Sequence, residues 1–398
     1  MSLANGRPYL AIPGPSVMPD RVLQAMHRPA PNIYEGELVE MVAGLVPDLK
    51  TVARTDGDVA IYIANGHGAW EAALANTHSR GDRALVLATG RFAHGWAEMA
   101  RRLGIDCEIV DFGKSSDVDL TRAAEALAAD TEHTFNSVLV VQVDTSTSVK
   151  NDIAGVRAAL DAAGHPALLM VDCIACLACD RFEMDAWGVD VMVAGCQKGL
   201  MTPPGMSFVY FNDRADAARE RADCVTSYWD WRPRAWPDDF YQYFGGTAPT
   251  HHLYGLRAAL DMIAEEGLEQ VWTRHEVLAR AVWTAFDAWG AGGPMQMNIA
   301  DPAKRSVAVT SIRVGAPHGT ELRNWLMDKA GVTLGIGLGM ADSRDPAWHG
   351  FFRVAHMGHV NSHMVLGALG TIEAGMTALG IPHGKGALEA AAAVCAVD

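Results

Sequence analysis

The stretch Val191-Met192-Val193-Ala194-Gly195-Cys196-Gln197-Lys198-Gly199 decides the fold. An apolar run breaks there into small residues, and a lysine follows with no charge beside it. Upstream, Ala167-Leu168-Leu169-Met170-Val171-Asp172 is a second apolar run, and it stops on a carboxylate. Short, near-continuous apolar runs of this kind read as strands buried on both faces of a sheet. A carboxylate at one strand end and a lysine just past a later one is the pairing that pyridoxal 5'-phosphate (PLP) chemistry needs. The lysine forms the Schiff base, and the carboxylate keeps the pyridine nitrogen protonated so that the ring accepts electrons.

Outward from these two runs the pattern repeats. Further strands are expected at 59–64, 83–88, 137–143 and 206–211, with the two runs above at 167–171 and 190–194. Helical periodicity falls between them at 69–77, 93–103, 121–129 and 153–163. This alternation predicts an α/β fold with a mostly parallel central sheet and helices on both faces. After Phe211 comes a Trp- and Pro-rich stretch, Tyr228-Trp229-Asp230-Trp231-Arg232-Pro233-Arg234-Ala235-Trp236-Pro237, whose aromatics call for an ordered, partly buried loop. Helices at 252–266 and 268–289 follow, then a strand at 306–314 and helices at 320–330 and 361–379. The expected division is an N-terminal arm over 1–20, a large domain over 21–288 and a smaller C-terminal α/β domain over 289–398.

The chain has 398 residues, half of them hydrophobic, and a net charge of -15 with no basic block. That balance argues against a nucleic-acid or anionic-membrane surface and leaves small metabolites as partners. No stretch approaches a membrane span or a signal-peptide core, and seven cysteines in a long chain fit a reducing compartment, so the expected location is cytoplasmic.

Polar and glycine residues gather at the carboxyl ends of the expected strands, where ligands bind in such sheets. Asn65-Gly66-His67-Gly68 opens a helix, and free N–H groups at a helix start bind phosphate; a plain strand-to-helix turn has the same look. Phe92, in Thr89-Gly90-Arg91-Phe92, is placed to stack on a ring or to fill the core. Arg353 lies between apolar residues and needs an anion, either a substrate carboxylate or an internal salt bridge. Cys173, Cys176 and Cys179 imitate the start of an iron–sulfur motif. No fourth cysteine followed by proline appears, and a buried cysteine behaves as a small hydrophobe, which weighs against a cluster or other metal centre there.

Taken together, these motifs resemble the class V, fold type I PLP-dependent aminotransferases, in the alanine/serine–glyoxylate branch. The resemblance spans nearly the whole chain. It runs from Ile12-Pro13-Gly14-Pro15-Ser16 through Gly66-His67-Gly68-Ala69-Trp70-Glu71-Ala72, Asp144-Thr145-Ser146-Thr147 and Val171-Asp172. It continues through Gly195-Cys196-Gln197-Lys198-Gly199, Pro203-Pro204-Gly205, Thr247 and Tyr254-Gly255-Leu256-Arg257-Ala258-Ala259-Leu260, and ends with Arg353 and His356-Met357-Gly358.

The resemblance implies PLP as cofactor. It makes Lys198 the Schiff-base lysine and proton shuttle, and Asp172 the partner of the pyridine nitrogen. It places Thr145 near the ring hydroxyl, Phe92 on the ring, and Gly66, His67 and Gln197 at the phosphate. Thr247 would join the phosphate from the neighbouring subunit of a homodimer, and Arg353 would clamp the substrate carboxylate. The implied reaction moves an amino group from serine, alanine or a similar L-amino acid to glyoxylate or pyruvate; a pyridoxamine–pyruvate aminotransferase-like activity is the alternative. Three positions depart from the family pattern: the Asn32–Leu38 loop, Ser148 in place of a glycine, and Phe244 where a tyrosine is usual.

Overall fold

The structure, a computed structural model, is described over residues 1–397. Its strands in chain order are β1 (Tyr9–Ala11), β2 (Asp58–Tyr62), β3 (Arg83–Ala88), β4 (Asp106–Asp111), β5 (Phe135–Val141), β6 (Leu168–Asp172), β7 (Val191–Gly195), β8 (Ser207–Phe211), β9 (Gln296–Met297), β10 (Val309–Arg313), β11 (Val332–Ile336) and β12 (Phe351–Ala355). A seven-stranded sheet has the order β2-β8-β7-β6-β5-β3-β4. Its β4, β3, β5, β6 and β7 pair in parallel, and β8 runs antiparallel to both β7 and β2. The mostly parallel α/β fold expected from the alternation is therefore the one observed.

The unbroken apolar runs have a direct cause. Along β5, Val138 and Val140 pack into a core on one face, while Leu139 and Val141 pack into a second core on the other. The helices Gly66–Thr77 and Arg91–Arg102 cover one face, and Leu120–Ala129 and Ile153–Ala162 help to cover the other. With both faces buried, no alternation with polar residues is needed. Strand β4 lies at the sheet edge and alternates, with Asp106, Glu108 and Asp111 exposed. That polar half is why no apolar run announces it.

A second sheet of order β1-β11-β12-β10-β9 packs against the C-terminal half of the helix Leu268–Gly290 and the helices Ser362–Leu379 and Ala387–Cys395. The helix expected over 320–330 is α-helical only from His318 to Trp325, then widens into a π turn over Leu326–Ala330. In the Trp- and Pro-rich stretch, Trp231 is fully buried and stacks on Phe211 at 4.2 Å, whereas Tyr228 and Trp236 remain exposed.

The N-terminal strand β1 pairs in parallel with β11, Tyr9 opposite Val332. This anchors the chain so that the next residues, Ile12 to Ser16, run back over the loop that follows β7. Ser16 N–H donates to the Gln197 carbonyl at 2.9 Å, and Ser16 Oγ donates to the Lys198 carbonyl at 2.7 Å.

Candidate active site

Lys198 lies just past the end of β7 and is only 8% exposed. Its Nζ donates to the Pro13 carbonyl and pairs with no carboxylate among the described residues. Burial pushes the amine down to about 8, the nearby Arg353 charge adds to this, and Asp172 pulls the other way. The neighbouring glycine is required: a Cβ on Gly14, whose φ is +94°, would lie 2.4 Å from Lys198 Cε. Gly14→Ala should therefore cost about 1–3 kcal/mol through strain and overlap at one residue. Thermal unfolding checks this, and an unchanged melting temperature would contradict it.

Asp172 ends β6 and is 3% exposed. Oδ1 accepts from Ile174 N–H at 2.7 Å and Oδ2 accepts from Trp70 Nε1–H at 2.8 Å. Burial pushes this carboxyl up to about 7, against the pull of those two donors. No Lys, Arg or His side chain forms an ion pair with it among the described residues.

Asp144, in the turn after β5, is a fully buried carboxylate that sequence reasoning left without a role. Its Oδ1 accepts from Ser146 N–H at 2.9 Å, and its Oδ2 accepts from Phe92 N–H at 2.8 Å. This carboxylate joins the turn bearing Thr145 to the helix start bearing Phe92. Gly90 leaves room for it, since a Cβ there would lie 2.4 Å from Asp144 Cγ. Thr145 is itself buried, and its carbonyl accepts from Arg353 Nη1 at 2.7 Å. Arg353 Nε donates to the Ile336 carbonyl at 2.7 Å. The salt-bridge explanation for Arg353 fails among the described residues: its partners there are two carbonyls, not a carboxylate. Burial holds its pKa down to about 10, so it stays charged at neutral pH.

The turn after β2 differs from its simplest reading. Asn65 Oδ1 accepts from His67 N–H at 3.1 Å and from Gly68 N–H at 3.3 Å, so two of the amides expected to face a phosphate are capped within the chain. Gly66 packs so closely under Ile174 that a Cβ would approach Ile174 Cδ1 to 2.4 Å. The His67 ring is accessible, lies 4.7 Å from Trp70, and is held below the ordinary imidazole pKa by partial burial and by Arg91. Gln197 Oε1 is buried without a partner. A cavity of about 1240 Å³ reaches this wall, lined by His67, Trp70, Arg91, Phe92, His94 and Lys114 among others.

Thr247 is exposed, and among the described residues no hydrogen bond ties it to this cluster. Phe244, read as the counterpart of a partner-facing tyrosine, is fully buried against Phe240 and Tyr243, while the neighbouring Tyr241 is exposed. Ser148 stands at φ +61°, which explains why a glycine is usual there. Its Oγ accepts from Ser311 N–H at 3.1 Å, so the serine adds a contact that a glycine lacks. The Asn32–Leu38 loop lies largely on the surface, where Arg28 pairs with Glu37 and caps the Tyr254 ring at 3.6 Å. In the cysteine run, the Cys173 and Cys176 thiols both donate to Gln142 Oε1 from inside the core, and burial raises the pKa of all three thiols. No group of three or more His, Cys, Asp or Glu side chains is placed to hold a metal among the described residues.

Comparison with known proteins decides the family, because residues 53–360 match aminotransferase class-V. The chain is a class-V aminotransferase. Among its relatives, the serine–glyoxylate aminotransferase of Methylorubrum extorquens is 36% identical, covering 97% of this chain and 95% of its own. The L-aspartate–glyoxylate aminotransferase of Paracoccus denitrificans is 35% identical, covering 96% and 94%. Among solved structures, the pyridoxamine-pyruvate aminotransferase of Mesorhizobium loti superposes with a TM-score of 0.88 at 25% identity over 99% of both chains. For this class-V aminotransferase, Trp70, Asp144 and the Pro13–Gly14 backbone were the members of the cluster that the sequence alone did not assign. Trp70 had one signal, its place in Gly66-His67-Gly68-Ala69-Trp70, a stretch that carries the family resemblance.

Proposed function

We propose that this aminotransferase uses PLP to move an amino group from a small L-amino acid, such as serine or alanine, to glyoxylate or pyruvate. One observation carries this reading: Lys198 and Asp172 are both buried at neighbouring strand ends, and among the described residues no opposite charge is bonded to either. Buried ionisable groups left so are costly unless a ligand completes them. The residues present fit PLP. Asp172 brings a desolvated carboxyl without a cation, and Lys198 an amine whose bonded partner among the described residues is a carbonyl.

In this reading PLP, when bound, supplies an electron-accepting ring next to the carbon that loses its proton. Asp172 holds the proton on the ring nitrogen. Lys198 Nζ, deprotonated more readily than an exposed lysine, would hold the cofactor at rest and, once displaced by the donor's amine, would take the donor's α-proton. Phe92 and Thr145 orient the ring, and their spacing is kept by Asp144. Arg353 binds the substrate carboxylate and so sets the direction in which the α-proton points. Gly66, His67 and Gln197 hold the phosphate, with Thr247 of the partner subunit completing that end in a homodimer. Light scattering tests the dimer; a monomer in the PLP-loaded state would contradict it. The division at about residues 20 and 288 into arm, large domain and small domain belongs to the same proposal, as does a cytoplasmic location. Its support is the separate C-terminal core and the seven free cysteines. Limited proteolysis tests the division and cell fractionation the location. No helix among the described residues is long and apolar enough to cross a membrane.

The pH dependence of cofactor uptake has a definite sign. Asp172, raised to about 7, becomes anionic as pH rises, and Lys198, lowered to about 8, becomes neutral over the next interval. Both changes favour cofactor binding. PLP affinity of the cofactor-free protein should therefore rise from about pH 6 to about pH 8, and Asp172→Asn should remove the lower step. A pH-independent affinity measured by absorbance titration would contradict this.

A second reading is favoured by one finding, the Asn65 cap on the His67 and Gly68 amides. It leaves fewer donors for a phosphate and suits an enzyme acting on free pyridoxamine with pyruvate. A donor panel separates the two. Turnover of serine, alanine or aspartate with glyoxylate supports the first reading. Turnover of pyridoxamine but none of those amino acids supports the second.

A further inference from the structure

The Trp70 indole touches three of the groups assigned above to the cofactor. Its Nε1–H donates to Asp172 Oδ2 at 2.8 Å, its ring meets Phe92 edge-on at 6.2 Å, and it meets His67 at 4.7 Å. Behind it, Trp96 stacks at 6.0 Å with an interplanar angle of 14°. Both indoles are buried, yet only one is used in polar contact: Trp96 Nε1 has no partner. The hydrogen bond from Trp70 is therefore a specific placement and not a general consequence of packing tryptophans here.

The bonding pattern at Asp172 has chemical content. Ile174 N–H and Trp70 Nε1–H are both pure donors, and each takes one carboxylate oxygen. A donor on each oxygen matches the ionised carboxylate and opposes a proton on either. We propose that Trp70 is a positioning residue for the reaction, whose indole N–H fixes Asp172 and favours its ionised form, the form that pairs with the ring nitrogen. The inference rests on the reading of Asp172 given above and adds a residue that acts through it.

The other groups that face Asp172 are Asp144 from the turn after β5, Lys198 from the loop after β7, and the thiols of Cys173 and Cys176 from the turn after β6. Asp144 opposes ionisation of Asp172 and Lys198 supports it. Burial opposes it most of all, which leaves the two N–H donors as the main counterweight.

The test reads Asp172 directly in the cofactor-free protein. Aspartates carrying a 13C-labelled carboxyl are titrated by NMR, with the signal identified by its loss in Asp172→Asn. Trp70→Phe keeps an aromatic body and removes the donor. Asp172 should become a roughly tenfold weaker acid, since hydrogen bonds to charged groups are worth about that factor or more. PLP affinity of this variant should fall about fivefold at pH 7, approach a tenfold loss at lower pH and recover at alkaline pH, where the weaker acid ionises. If Trp70→Phe fails to fold, site-specific replacement of Trp70 by benzothienylalanine keeps the ring shape and exchanges N–H for sulfur, with the same expected result. Trp96→Phe, which leaves the bond in place, should not move the titration. An Asp172 titration unchanged by loss of the Trp70 N–H, or an affinity loss equal at every pH, overturns the proposal and reduces Trp70 to packing. A native protein that binds no PLP at any pH instead overturns the cofactor reading, while the carboxyl titration still shows whether Trp70 governs Asp172.

Discussion

Lys198→Ala should lower the transamination rate by at least about 10⁴-fold, because one side chain supplies both the covalent anchor and the proton transfer. The variant should also lose the visible absorbance that the native protein shows when loaded with PLP. Two structural facts make the effect specific. The amine is sealed between Pro13 and the strand ends, so bulk water does not replace it readily. Its lowered pKa means that a large share of the native amine is already neutral near pH 8. A small primary amine added to the variant should restore part of the rate, since a base is the missing group. Native-like turnover or an unchanged visible spectrum in Lys198→Ala would remove the basis for the proposed function.

Arg353→Ala should lower kcat/KM for amino acid donors roughly 30- to 5000-fold, the range for losing one partner of a buried, hydrogen-bonded charge pair. Arg353→Lys should recover only part of this, because an ammonium cannot present the planar fork that a carboxylate fits. The structure sharpens the expectation. The Arg353 guanidinium is held by the carbonyls of Ile336 and Thr145, which fix the plane of the fork without neutralising it. An amine donor lacking the carboxylate should react equally slowly with native and variant enzyme. Equal losses for donors with and without the carboxylate would show that Arg353 only supports the Thr145 turn.

Much of this site was legible in the order of residues. Asp172 and Lys198 stand out because each breaks an apolar run, and a buried parallel strand places its last residue at the ligand-binding edge. Gly14 and Gly90 show what was not legible. Only the fold shows a Lys198 side chain against one and an Asp144 carboxylate against the other. The strands β1, β11 and β12 escaped as well. β1 is three residues long and finds its partner more than 300 residues along the chain, a pairing that no local pattern encodes, while Gly335 and Arg353 interrupt the apolar runs of β11 and β12.

The His67 turn carries the same lesson at one residue. Gly66-His67-Gly68 reads as a phosphate-binding start, and the helix does begin there. Whether its amides are free depends on the Asn65 rotamer, which turns the side chain onto them. Likewise Phe244, matched by position to a partner-facing tyrosine, is drawn into the core by Phe240 and Tyr243.

By itself the sequence determined the α/β architecture, the strand ends at which chemistry gathers, and the lysine and aspartate that stand there. It could do so because burial on both faces writes continuous apolar runs, and each polar interruption then marks an edge. Only the tertiary structure decided what surrounds those two residues: the Pro13 carbonyl on Lys198, the Trp70 indole on Asp172, and the two carbonyls that hold Arg353. These contacts join segments about 100 to 210 residues apart, except the link from Arg353 to Ile336 on the adjacent strand β11. They are set by how the elements pack, and that distance is why the acid–base character of the site had to be read from the fold.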